Sequence, residues 1–222
     1  MMAQSVEKAR FNMVQQQIRP WEVIDPRVLG LMESLPRDAF VPDAYKALAY
    51  ADIEIPLAQG EHMMFPRVEA RLMQALDLQP SDQVLEVGTG SAYLTACLAR
   101  LCQRVVSIDI HEEFSQGAAD KLQQLGITNV LLKTGDALAD SLEEGPFDVI
   151  AVTGSVATSE QAEIFRQQLR IGGRLFVVIG TPPAMEAMLI TRTSKTAFSE
   201  EGVFETDIKP LTNAEAPRTF EF

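Results

Sequence analysis

From Gln83 onward the chain alternates short apolar runs with helical patterns, and no other feature restricts its fold as much. Strands are predicted over residues 83–87, 104–108, 129–133, 147–152 and 174–179, with helices over about 92–101, 112–125 and 160–169 separating most of them. Strand–helix–strand repetition requires right-handed crossovers and produces a mainly parallel, doubly wound sheet covered on both faces. Residues 188–193 and 202–208 read as further strands forming an antiparallel edge. The segment before this α/β region has a different character. It predicts helices over 6–19 and 26–34, punctuated by Pro20, Pro26, Pro36 and Pro42, with Asp25 as a cap and Pro26 at the first helical position. A loop over 56–66 follows, then a helix with Val68, Leu72, Met73 and Leu76 on one face.

Within the α/β region the stretch Val84-Leu85-Glu86-Val87-Gly88-Thr89-Gly90-Ser91 concentrates the chemistry. Val84, Leu85 and Val87 make a buried strand. Gly88 and Gly90 allow a tight turn and a close approach of backbone to a ligand. Ser91 opens a helix carrying Tyr93, Leu94, Cys97, Leu98 and Leu101. In a doubly wound sheet, ligands bind beyond the carboxyl ends of the strands at the switch point. Three candidate positions fall there: Glu86–Ser91, then Asp109, whose carboxylate can accept bonds from ribose hydroxyls, then Gly135-Asp136-Ala137, suited to an adenine edge.

Two nucleotide-bearing ligands fit this pattern. A nicotinamide dinucleotide also predicts a ribose acid about 20 residues after the turn. It favours a small third residue, however, where this chain has Tyr93, and Glu86 is a poor neighbour for phosphates. A cationic sulfonium cofactor tolerates that acid, and S-adenosyl-L-methionine is the better reading.

Composition narrows the classes further. The 222 residues, 46% of them apolar, fit one domain with a sizeable core. Thirty-one acids against 19 basic residues give a net charge of −12, which argues against nucleic acid as a partner. The N-terminal stretch is interrupted by Glu7, Lys8, Arg10 and a glutamine run, so neither a secretory leader nor a membrane anchor is expected. Cys97 and Cys102 read as buried thiols of a cytoplasmic protein, and no metal site is expected. The acids Asp140, Glu143 and Glu144 read as a solvated surface.

The chain resembles the protein-L-isoaspartate O-methyltransferases. The likeness runs from Met13-Val14-Gln15-Gln16-Gln17-Ile18, through Pro36-Arg37-Asp38-Ala39-Phe40-Val41-Pro42, Ala49-Tyr50-Ala51-Asp52, Val84–Tyr93, Gly135-Asp136 and Pro146–Thr153, to Gly172-Gly173-Arg174-Leu175. The N-terminal motifs are the more specific ones, because the later motifs recur across class I methyltransferases. The resemblance implies a Rossmann-like class I methyltransferase with a helical N-terminal extension. Residues 1–80 would form the helical region and substrate loop, packed on a methyltransferase core over 81–222. It implies S-adenosyl-L-methionine bound by Glu86, Gly88, Thr89, Gly90, Ser91, Asp109, Gly135, Asp136 and Thr153. The expected partners are isoaspartyl-containing proteins or peptides, methylated on the free α-carboxylate in protein repair. Monomer and homodimer both stay open.

The substrate loop departs from the family pattern, usually Gly-Gln-Thr-Ile-Ser-Gln-Pro. Here it reads Gly60-Glu61-His62-Met63-Met64-Phe65-Pro66, and the family's substrate-holding serine falls on Met64, which cannot donate a hydrogen bond. Thr153 precedes Gly154-Ser155 instead of two alanines. An apolar family segment appears as Thr206-Asp207-Ile208-Lys209-Pro210-Leu211. His62, Met63, Met64 and Phe65 either pack on the following helix or line a more apolar acceptor pocket. A small-molecule acceptor and a non-catalytic S-adenosylmethionine-binding protein therefore stand beside the repair reading.

Overall fold

A computed structural model describes residues 2–139 and 142–214, with side chains described from residue 5. Asp140 of the expected solvated surface lies outside the described residues, as do residues 215–222. The sheet has seven strands: β3 (Gln83–Val87), β4 (Arg104–Asp109), β5 (Val130–Thr134), β6 (Phe147–Val156), β7 (Leu169–Thr181), β8 (Ala184–Arg192) and β9 (Phe198–Glu205). Their order is β5-β4-β3-β6-β7-β8-β9, the first five mutually parallel and the last two antiparallel. A separate two-strand ribbon joins β1 (Ile55–Pro56) to β2 (His62–Met63). The order reverses at β3, which has β4 on one side and β6 on the other, so a switch point opens above Val87 and Val152.

Alternation along each central strand builds two apolar layers, as expected of strands buried on both faces. Val84, Val105, Val149, Ala151, Phe176 and Val178 face one layer. Leu85, Val87, Val106, Ile108, Ile150, Val152, Leu175 and Val177 face the other. The first layer is covered by α2 (Pro26–Ser34), α3 (Pro66–Leu76), α4 (Tyr93–Leu101) and α5 (Glu112–Gln124). Asp25 caps α2 by accepting the Arg27 amide at 2.8 Å, and Pro26 occupies its first position. Helix α4 is buried from Tyr93 to Ala99 because it lies between the sheet and the N-terminal helices. Tyr93 meets Phe40 edge-on at 5.5 Å between ring centres, and its hydroxyl reaches Met32 Sδ at 3.4 Å.

The structure differs from expectation at several element ends. The first helix, expected over 6–19, is α1 (Met2–Asn12) followed by a widened π-helical turn, Met13–Ile18. Bonds spanning five residues bring Met13 and Ile18 to the same buried side, which a continued α-helix would not do as well. The helix expected over 160–169 shrinks to α6 (Glu163–Gln167). Gln161 Oε1 accepts the Ala157 amide at 2.7 Å and holds the preceding residues in tight turns. Strand β7 therefore begins at Leu169, earlier than expected. The last strand stops at Glu205 and leaves Ile208 to a different task, described below. Among the described residues no helix is long and apolar enough to cross a membrane.

Candidate functional site

The switch point is a cleft of about 600 Å³, a size that suits a nucleotide-bearing cofactor. Its floor is the turn after β3. Gly88 and Gly90 have φ of +97° and +47°, and an added Cβ at Gly88 would lie 2.1 Å from Thr153 Oγ1. The absence of side chain at 88 thus lets β6 close against the turn. Thr153 is within donor range of the Val87 and Gly88 carbonyls, at 2.9 and 3.1 Å. Register between β6 and β7 slips between Ala151 and Ser155, and Thr153 and Gly154 sit in that irregularity.

Asp109 ends β4 and is 6% exposed. One carboxylate oxygen accepts the Gly90 amide at 2.9 Å and the other accepts the His111 amide at 2.9 Å. Each keeps a further lone pair for a ligand. Asp136 accepts the Leu138 amide and the Asn213 side chain, both at 2.8 Å. The sequence-predicted Gly88, Thr89, Gly90, Ser91, Asp109, Gly135, Asp136 and Thr153 all line this one cleft, as do His62, Met63, Met64 and Phe65.

Glu86 does not line it, contrary to its expected place beside the ligand. Its side chain lies behind the turn, fully buried, where Oε2 accepts Thr95 Oγ1 at 2.5 Å and Ser107 Oγ at 2.6 Å. Ser107 in turn shares a hydrogen bond with Thr89 at 2.6 Å. Burial pushes the Glu86 carboxyl up to about 8, with the two hydroxyls opposing. The period of a strand explains the miss: Glu86 points to the opposite face from Leu85 and Val87, toward α4.

Met64 is only 7% exposed, yet it lines the cleft, so packing and lining are not alternatives for this residue. The loop before it is closed from the far side. Residues 207–211 form a strap along the end of β6: the Ser155 amide donates to the Lys209 carbonyl at 3.1 Å, and the Leu211 amide donates to the Ser155 carbonyl at 2.9 Å. Ser155 Oγ also donates to the Ile208 carbonyl at 2.8 Å. Gly154 admits the strap, because a Cβ there would lie 2.7 Å from Leu211. Lys209 then reaches Glu61 Oε1 at 2.5 Å and the Gly60 carbonyl at 3.2 Å. The charge introduced at Glu61 is therefore answered by the charge introduced at Lys209. His111 lies 3.8 Å from Glu61 and packs edge-on against Phe114.

Sequence reasoning missed two residues here. Glu69 lines the cleft while 3% exposed, and Arg37, fully buried, donates to it. A signal was present: Glu69 lies three and four residues before Leu72 and Met73, on the apolar face of α3. Among the described residues no cluster of His, Cys, Asp and Glu could hold a metal ion.

The family model for protein-L-isoaspartate(D-aspartate) O-methyltransferase matches residues 8–216. The protein-L-isoaspartate O-methyltransferase of Methylorubrum extorquens (strain PA1) is 37% identical over 204 residues, spanning 92% of this chain and 88% of its own. Protein-L-isoaspartate O-methyltransferase 2 of Pelobacter propionicus is 33% identical over 210 residues, spanning 94% of this chain and 92% of its own. A solved protein-L-isoaspartate O-methyltransferase superposes with a TM-score of 0.76 at 26% identity, over 92% of this chain and 65% of that longer one. A Plasmodium falciparum structure, provisionally assigned as a beta-aspartate methyltransferase and solved with S-adenosyl-L-homocysteine, shares the fold. It has a TM-score of 0.75 at 21% identity and spans 93% of this chain and 97% of its own. The architecture is that of a Rossmann-like class I methyltransferase, and the chain belongs to the protein-L-isoaspartate(D-aspartate) O-methyltransferase family.

Proposed function

We propose that this protein binds S-adenosyl-L-methionine in the switch-point cleft and methylates the free α-carboxylate of L-isoaspartyl residues in damaged proteins. The observation that carries the reading is the convergence of the glycine turn, Asp109, Asp136 and the loop 62–65 on one cleft, in a chain matched by the family over nearly its whole length. Gly88 and Gly90 give the cofactor's backbone-facing side close access. Asp109 offers its remaining lone pairs to the ribose, and Gly135 and Asp136 stand where the adenine would lie. Thr89, Ser91 and Thr153 shape the turn between them. Glu86 acts from behind, by fixing Thr95 and Ser107.

When bound, the cofactor supplies an electrophilic methyl group. An acceptor carboxylate is ionised near neutral pH, so no strong base is required of the protein. The work left to the residues is alignment and exclusion of water. Met63, Met64 and Phe65 supply an apolar wall, and Lys209 ties the strap to the same loop through Glu61. A soluble cytoplasmic enzyme is the accompanying reading, supported by two buried thiols that form no disulfide.

Methyl transfer from labelled S-adenosylmethionine to an isoaspartyl peptide, beside its normal aspartyl twin, tests the proposal. Base-labile label on the isoaspartyl peptide alone is expected. No label on either, with cofactor binding demonstrated in the same preparation, removes the repair reading. It would favour a second one, methylation of a different and more apolar acceptor, for which Met64 in the cleft wall is the supporting observation.

A further inference from the structure

The cleft is electrically one-sided. Glu54, Glu61, Glu69, Asp109, Asp136 and Asp207 line it, and among the described residues Lys209 is the only lysine or arginine that does. A carboxylate brought to the wall of Met63, Met64 and Phe65 finds no strong side-chain donor there. Burying it unpaired is expensive. Nearby donors are committed elsewhere. Thr153 directs its hydroxyl to the Val87 and Gly88 carbonyls, and the Thr89 hydroxyl is bonded to Ser107. Arg37, behind the wall, is taken up by Glu69 and the Met64 carbonyl. Lys209 is placed differently. Its backbone is fixed in the strap, where its carbonyl accepts the Ser155 amide at 3.1 Å and Pro210 bridges to Ser155. Its ammonium crosses to Glu61 Oε1 at 2.5 Å and to the Gly60 carbonyl at 3.2 Å. Those contacts occupy two of the three N–H donors of a lysine, and the side chain is half exposed, so a third donor is left for a ligand.

We propose that Lys209 is a specificity-determining residue of the acceptor site: its remaining N–H donates to one oxygen of the carboxylate that is methylated, and Glu61 competes for the same ammonium. This role rests on the isoaspartyl reading above. One oxygen held by Lys209 leaves the other free to face the methyl group. Methylation discharges the carboxylate, so the ester product loses an attraction that the substrate keeps. Glu61 then has two effects on an acceptor. It holds the ammonium against the loop, and its own charge opposes the entry of a second carboxylate. A clasp that served only to join strap and loop would behave otherwise, because it is broken equally from either end.

The test is calorimetric affinity of an isoaspartyl peptide for the protein saturated with S-adenosylhomocysteine, at fixed pH and salt, in the wild type, K209M, K209R, E61Q and E61Q with K209M. K209M is expected to weaken binding by roughly five- to twentyfold, and K209R to recover it to within about threefold. E61Q is expected to tighten binding by roughly three- to fivefold, and to lose most of that gain when combined with K209M. A peptide whose acceptor α-carboxylate is replaced by a carboxamide should bind the wild type and K209M alike. His62 and His111 also line the cleft, but they are unchanged in every variant and cancel in the differences. Wild-type affinity in K209M, weakening of similar size in K209M and E61Q, or an equal loss with the carboxamide peptide overturns the role of Lys209 and leaves the repair reading intact. Absence of peptide binding and of methyl transfer in the wild type and every variant, with S-adenosylhomocysteine still bound, overturns both.

Discussion

A methyl group added at position 88 would strike the Thr153 hydroxyl, in a backbone conformation that side chains rarely adopt. Gly88→Ala is therefore expected to lower stability by at least about 2 kcal/mol. The double change with Thr153→Ala should recover part of that loss, because the clash goes while the positive φ stays. Urea unfolding of the four proteins of that cycle measures the coupling, and strict additivity would contradict the contact. The two buried carboxyls make a different kind of residue-scale prediction. Glu69 and Glu86 rise from an ordinary 4.5 to about 7 and about 8, so the folded protein holds protons that the unfolded chain releases. Their protonated forms support the fold fully below about 4.5, and that support is lost as pH climbs through 7 and 8. Stability should fall by about 1 kcal/mol per pH unit per group across the window, and E86Q should remove one share of the slope. An unchanged slope in E86Q would exclude this assignment. The helical spacing of Glu69 with Leu72 and Met73 made its burial legible, but that of Glu86 was not. Glu86 sits beside glycines that announce a ligand, yet strand periodicity turns it away, and its partners Thr95 and Ser107 come from two other elements.

At the scale of elements, Lys209 ties the strap 207–211 to the loop 57–65 through Glu61 and the Gly60 carbonyl. The pair with Glu61 is partly exposed, so it contributes little to stability. Its consequence is expected in kinetics: K209A should speed release of S-adenosylhomocysteine by roughly three- to tenfold, with a small change in melting temperature. Exchange of the charges, E61K with K209E, should restore slow release, and stopped-flow dissociation distinguishes the cases. Sequence pattern located every strand of the sheet because alternation and apolar runs are local properties. The start of β7, the shortening of α6 and the diversion of Ile208 into the strap were not legible, since each is decided by contacts with distant segments. Ser155 illustrates the point: its amide, carbonyl and hydroxyl bind the strap more than 50 residues later, as the Ile208 bond spans 53. The substrate loop shows the same limit. Glu61 sits in that loop, and its partner Lys209 comes from far along the chain.

Across the whole molecule the excess of acids sets the long-range field. With a net charge of −12, acceptor peptides with acidic flanks should approach more slowly than those with basic flanks. Added salt should raise kcat/KM for the acidic set and lower it for the basic set, converging once the screening length falls to about 8 Å or less. Parallel salt responses for both sets would show that the field at the cleft does not follow the net charge. The doubly wound architecture itself was legible, because a parallel sheet with two apolar layers needs strands such as Val105-Val106 and Val149-Ile150, which have no polar face. The same sheet ends in β9, which pairs with β8 alone among the described residues. Glu201 and Glu205 stand exposed along that strand of eight residues, while Glu200 pairs with Arg166 at 2.9 Å. A second copy laid edge to edge would set like charges against one another at a strand spacing of about 4.8 Å. The border is thereby guarded against templated growth of fibrils, and acidification, which discharges the guard, is the condition under which this protein should begin to aggregate.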